Sequence, residues 1–465
     1  MPEIDQSFDF AGSEPVIDAV YRFATELAWS DVPPTVQDRA RLLLLDLIGV
    51  LGAGMGTDLS DIIRSHVVDH FGAGGAAATL PFDGRVVSPA GAALATGMSL
   101  DAIDAHDGHR LVKGHVGCAV LPALLAYSDD VGLVDGEEFM TALVIGYEIG
   151  TRAGRALHEA PETMGEYHTS GAWSALACAA VGARLMGLGA EQFAHAVAIA
   201  EYHGPRSQMM KVVANPTMLK DGSGWGALAG VSAAYLARAG FTGAPVVSIE
   251  RVHLQRYWLD LGTNWETMQQ YVKPQPVCRW TQPASTAAAD LMRVHELDST
   301  RIVSIDIDTF EEATQLSHAL PTNTEQAQYN LPFPVATVLV RGQVGAVEVT
   351  DSRLFTDPEI VRLTNLTKTH RRPAFDDAFP AERRAVVRIG LSSGEFIESA
   401  PTAATGDPDN MLTPDEFVAK FHLMASSLLD TSEREELVAL AGTLDTDVGA
   451  LAKLRSALHA PRAVH

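Results

Sequence analysis

The sequence predicts a mainly α protein: a large all-helical domain formed by both chain ends, with an α+β domain inserted into it. Three observations carry that prediction. Ala and Leu are abundant and aromatics make up only 7% of the 465 residues, a balance that favours helix over sheet. Apolar residues recur at helical spacing from Val16 to about Arg238, with a cap or a proline at several of the starts. Strand-like alternation is confined to the stretch after residue 270, and helical signals return beyond Pro401. The expected division is therefore 1–270 and 401–465 for the two parts of the helical domain and 271–400 for the α+β domain.

Taken in order, residues 1–14 read as a loose tail. Val16, Val20, Phe23 and Leu27 mark a first helix, and Pro33-Pro34 opens a second through Leu51, stopped by the Gly-rich segment after Gly52. Residues 72–87 read as loop or short strands, and Ser88-Pro89 as a cap and first turn of a helix to about Ser99. Val120–Ser128 reads as a buried helix. Asp135 with Glu138 resembles a capping box for a long helix to about His158. Ala172–Leu188 is apolar nearly all round, as a central helix would be. A helix over Glu191–Tyr202 follows, then a break over 203–226, then helix to Arg238. Residues 301–308, 383–389 and 396–399 alternate as strands, with helices near 331–341 and 357–366 between them. Thr413-Pro-Asp-Glu416 caps a further helix, and 431–457 holds one or two more.

A formal charge of −24 argues against nucleic acid, whose binding needs Lys and Arg to neutralise phosphates. Three cysteines without a CxxC pair fit a reducing, cytoplasmic location. The first residues show no secretory pattern, and no run of about 18 apolar residues marks a membrane span.

One stretch is chemically dense. Asp101–Pro122 carries three Asp, three His, one Arg and one Lys between two apolar helical patterns. Asp104, His106, Asp107, His109 and His115 are suitable metal ligands by type, but their spacing matches no metal motif, and the duller reading is that they cap helix ends. Without a metal, removing a proton beside a carboxylate needs cationic donors aimed at the carboxylate oxygens and a base at the carbon acid. Lys113, Arg206, Lys220, Lys273 and Arg279 are candidate donors, all at helix breaks, where sites gather. Gly222-Ser223-Gly224 lacks the frame of a serine nucleophile, and Gly222–Gly226 lacks that of a nucleotide loop, so no cofactor is expected. Cys118 and Cys278 could be catalytic thiols, though buried structural cysteine is commoner.

The order of Asp-rich stretch, His115-Val-Gly-Cys-Ala-Val-Leu-Pro122, Gly146-Tyr-Glu148, Tyr167-His-Thr169, Lys220-Asp-Gly222 and Lys273-Pro-Gln-Pro-Val-Cys-Arg279 resembles the 2-methylcitrate dehydratase (MmgE/PrpD) family. Ala327–Val335 and Gly406–Phe417 add two further landmarks. The resemblance implies an α+β lid over a metal-free site, a homodimer, and carbanion-like chemistry beside a carboxylate. It implies catalytic roles for Asp104, Asp107, His115, His168, Lys220 and Lys273. His109 is expected to assist a leaving hydroxyl, and Arg206, Arg279 and Ser223 to bind substrate. The chain departs from the family pattern at His106, Gly108, Val116, Ser223 and Phe333, where Asp, Thr, Pro, His and Tyr are usual. Lost hydroxyls at Gly108 and Phe333 imply a different donor pattern. The expected function is a lyase of the hydratase/dehydratase type on a small di- or tricarboxylate. An epimerase, racemase or decarboxylase of a small dicarboxylate is the enzyme alternative, and a non-catalytic binding protein the other.

Overall fold

The computed structural model describes residues 15–160 and 169–462. Helices dominate it. Pro34–Gly54 begins at Pro33-Pro34, and from Leu43 onward nearly every residue is buried, so this helix is a spine rather than a surface element. Around it lie Asp58–His70, Pro89–Asp101, Gly117–Asp130, Gly136–Glu159, Gly171–Leu185, Ala190–His203 and Ser223–Arg238. The Ser88 side chain accepts the Gly91 amide at 3.2 Å, the expected cap. Asp135 accepts the amides of Glu137 and Glu138, which is half of the expected box.

Gly171–Leu185 and Ser223–Arg238 pack at backbone distance. A Cβ on Gly230 would stand 2.3 Å from the Ala175 carbonyl oxygen, and one on Gly226 would stand 2.5 Å from that of Gly171. Small residues in these helices are thus a packing requirement. Among the described residues no single helix is long and apolar enough to cross a membrane; the bent pair Pro34–Gly54 and Asp58–His70 turns by 91°.

The later part of the chain holds a sheet in the order Thr367–Arg371, Ile302–Thr309, Arg384–Leu391, Phe396–Glu398. The first pair is parallel, with Ile307 opposite Thr369, and the other two are antiparallel, with Ile307 opposite Val387 and Ile389 opposite Ile397. Helices Gln282–His295, Pro332–Arg341 and Pro358–Leu366 pack against it. The edge strand Thr367–Arg371 was not expected: its sequence, Thr-Lys-Thr-His-Arg, is polar throughout, as suits a solvent-facing edge. After Thr413, whose capping box with Glu416 forms as predicted, helices Pro414–Met424 and Thr431–Thr443 return to pack on Pro34–Gly54.

The expected break over 203–226 is only partial. It contains a short helix, Met209–Ala214, and the next helix already starts at Ser223. Gly222 takes φ +64°, and the Asp101 carboxylate receives the backbone amides of Asp221 and Ser223 at 3.2 and 3.4 Å. A buried Asp on a different helix therefore starts this one, a signal no local reading contains.

Candidate active site

The site is assembled by a two-residue ladder. Gly108–His109 pairs antiparallel with Gln270–Tyr271, Gly108 opposite Tyr271, and Lys273 follows two residues on. Val272 is held from the other side, its amide donating to Gly406 O at 2.8 Å. Asp407 next to it pairs with Arg279 at 2.9 Å. The late Gly406–Asp407 landmark thus clamps the segment that carries Lys273.

A small cavity lies here, lined by Asp104, His115, Asp221, Tyr271, Lys273, Cys278 and Tyr329, with Arg110, Lys113, Arg279 and Arg383 also in its wall. The Lys273 ammonium bonds the Asp104 carboxylate and lies 3.5 Å from His115 Nε2. His115 Nδ1 donates to the Asp107 carbonyl oxygen at 2.5 Å, which leaves Nε2 with its lone pair toward the cavity. Asp107 also fixes the surroundings, accepting from Tyr147 OH at 2.7 Å and from the Gly117 amide at 3.3 Å. The His106 ring packs edge-on against His115, centroids 4.4 Å apart.

Burial pushes the Asp104 carboxyl up, but Lys273, His115 and Lys220 outweigh it and hold it below the ordinary carboxylate range. Burial would likewise lower Lys273, but Asp104 prevails and raises it. His115 is lowered well below its usual value, by burial first and then by Lys273 and His106. Asp221 moves the other way, up to about 7, through burial and the neighbouring Asp101 and Asp104. Its Oδ2 accepts from Ser170 Oγ at 2.8 Å and lies 3.3 Å from His115 Nε2, while Oδ1 is buried without a partner.

Of the residues expected from sequence, Asp104, Lys113, His115, Lys273, Cys278 and Arg279 line the cavity, and Asp107 orients His115 from behind. His168 lies outside the described residues. Lys220 is not in the wall: it takes φ +48°, donates to Gln328 Oε1 at 2.8 Å and sits over the Tyr329 ring. Three expectations need correction on geometry. His109 is turned away from the cavity toward Glu266, 3.1 Å off, because its strand position faces opposite to that of Gly108. Arg206 is exposed and donates to the Glu201 carbonyl oxygen at 2.6 Å. Ser223 is buried at a helix start, its Oγ accepting from Cys118 Sγ. Arg279 reaches the cavity with its guanidinium already committed to Asp407, Gln282 and the Thr405 carbonyl.

Asp104, His106 and His115 place ligand atoms within 4.8 Å of one another, but a cation there would have to displace the Lys273 ammonium from Asp104. The hydroxyls expected to be missing have substitutes. Phe333 is buried against Phe355, while Tyr329 lines the cavity. A Cβ on Gly108 would stand 2.5 Å from the Tyr271 hydroxyl, so that phenol fills the space of a larger residue. Tyr271, Tyr329, Asp221 and Arg383 escaped the sequence reading. Asp221 was adjacent to a chosen lysine, and Tyr271 was one alternation away from another.

The MmgE/PrpD N-terminal domain matches residues 19–260 and the MmgE/PrpD C-terminal domain matches residues 276–446. The chain belongs to the MmgE/PrpD family. The "cis-aconitate decarboxylase-like protein oryM" of Aspergillus oryzae is 25% identical over 93% of this chain and 96% of its own length. A cis-aconitate decarboxylase of Aspergillus terreus is 23% identical over 97% of each. These MmgE/PrpD relatives are named as enzymes of the decarboxylase type, and identity at this level carries the family's dehydratase and decarboxylase class without a particular reaction.

Proposed function

We propose that this chain is a lyase of the hydratase/dehydratase type acting on a small di- or tricarboxylate through a carbanion-like intermediate. One observation carries the reading: two groups 3.3 Å apart, His115 and Asp221, are displaced in opposite directions by their surroundings. His115, neutral and with Nε2 on the cavity side, takes the proton from the carbon beside a carboxylate. The Lys273 ammonium stabilises the charge that develops on that carboxylate, and Asp104 fixes the ammonium. Asp221, neutral below about 7, gives its proton to the departing hydroxide, the role first expected of His109. In this reading residues 271–400 serve as a lid, and the enzyme works as a cytoplasmic homodimer without metal or cofactor.

The sign of the pH dependence follows. The base must be neutral, so activity falls below the depressed value of His115; the acid must be protonated, so activity falls as pH rises through about 7. The expected kcat/KM profile is a bell with its optimum on the acid side of 7. A panel of hydroxy and unsaturated di- and tricarboxylates, followed by alkene absorbance and by NMR in deuterated water, tests the reaction. Asp221→Asn should retain proton exchange and lose elimination. Exchange without any alkene in the unaltered enzyme would make it an epimerase instead, and release of carbon dioxide would make it a decarboxylase, the reading that its relatives' names favour.

A further inference from the structure

The cavity has a second cationic end that the chemistry above leaves unused. Arg383 immediately precedes the strand Arg384–Leu391 and lines the cavity, with only 6% of its surface exposed. Its guanidinium carbon lies 4.9 Å from the centre of the Tyr271 ring. Among the described residues no carboxylate pairs with it, and its buried Nη2 has no hydrogen-bond partner.

Two other buried arginines are paired with carboxylates. Arg279 is bound by Asp407, Gln282 and a backbone carbonyl. Arg152, wholly buried, is held by Glu148, Asp260 and the Asn264 carbonyl. Burying a guanidinium without an acceptor is costly, so one that opens onto a cavity is ready for an acceptor from outside. Its planar fork matches a carboxylate. The Tyr271 ring is shared by Arg279 and Arg383: its centre lies 4.8 Å from the guanidinium carbon of Arg279 as well as close to that of Arg383, and its ring is 6.4 Å from that of His115. An acid spanning this cavity would present one carboxylate and its neighbouring carbon to Lys273 and His115 and a second carboxylate to Arg383.

We propose that Arg383 is the receptor for the second carboxylate of the substrate and makes the site selective for acids that carry at least two. The proposal rests on the lyase reading and assigns a residue to the carboxylate that Lys273 does not meet. Binding of succinate and of its monoamide, succinamate, can be followed by quenching of tryptophan fluorescence, since Trp280 lines the same cavity. The unaltered protein should bind succinate at least ~30-fold more tightly than succinamate. Arg383→Gln should bring that ratio close to unity, chiefly by weakening succinate. Arg383→Lys should keep the charge but lose the fork, leaving an intermediate ratio.

An Arg383→Gln protein that melts normally and keeps the full preference would overturn the proposal alone and make Arg383 a stacking partner of Tyr271. If that variant does not fold, Arg383→Lys decides: an unchanged ratio overturns the proposal and a reduced one supports it. An unaltered protein that binds neither acid overturns the proposal, while the lyase reading still stands or falls on the turnover panel.

Discussion

Two buried Lys–Asp pairs meet at one turn of this protein and behave oppositely. Lys273 bonds the Asp104 side chain; Lys420 contacts Asp46 at 2.6 Å and donates to the carbonyl oxygen of Ala105, the next residue. In the first pair the carboxyl is lowered and the ammonium raised, so both charges are reinforced. In the second, burial prevails: Asp46 is raised, with Asp107 adding to the effect against Lys420, and Lys420 is lowered. The first pair faces a cavity with Lys220 adding positive charge nearby, whereas the second is sealed between the helices Pro34–Gly54 and Pro414–Met424. Identical residue types thus give an anion-binding group in one case and a structural clip in the other, and the number of further charges decides which.

That contrast can be broken from either side. The largest expected effect is on catalysis. Lys273→Met should cut kcat/KM about a hundred- to a thousand-fold, measured on whichever acid the panel identifies, because it removes the cation that meets the developing charge. Lys420→Met should leave the chemistry intact but cost about 3–5 kcal/mol in denaturant unfolding, since Asp46 would be buried unpaired. Replacing both partners with apolar residues should recover most of that loss; if the double variant instead loses activity, the second pair is not merely a clip.

A smaller effect is expected at Gly108. Gly108→Ala should cost about 1–3 kcal/mol and lower kcat, because its Cβ would press on the Tyr271 hydroxyl and on His115 Nδ1, 2.7 Å away. The smallest concerns His109. His109→Gln should alter kcat by less than about threefold, reflecting its partnership with Glu266 instead of substrate. A large loss there would return His109 to the chemistry.

The helices were legible because their caps and prolines are local: Ser88, Asp135 and Thr413 all act within one turn of themselves. The cluster at Asp104, His115 and Lys273 was legible because ionisable residues are conspicuous in an apolar chain. What escaped depends on distant partners. Lys420 occupies an ordinary position in a capped helix, and only the fold sets it against Asp46 and Ala105. Arg383 looks like the charged start of a strand until Tyr271 and the cavity lie beside it. His109 misled for a related reason, since two adjacent strand residues face opposite ways and its neighbour Gly108 is the one turned to the site.

The short ladder at Gly108–His109 and Gln270–Tyr271 has a consequence for how such a site can change over time. Tyr271 and Lys273 face the cavity while Val272, between them, is buried with its amide on Gly406. A deletion or insertion of one residue here would exchange the inward and outward sets, turning valine to the substrate and lysine into the packing. Side chains around the cavity can therefore be traded one at a time, yet the spacing of this segment cannot drift. Diversification at this wall has to proceed by substitution, and length variation has to be taken up in the surface loops.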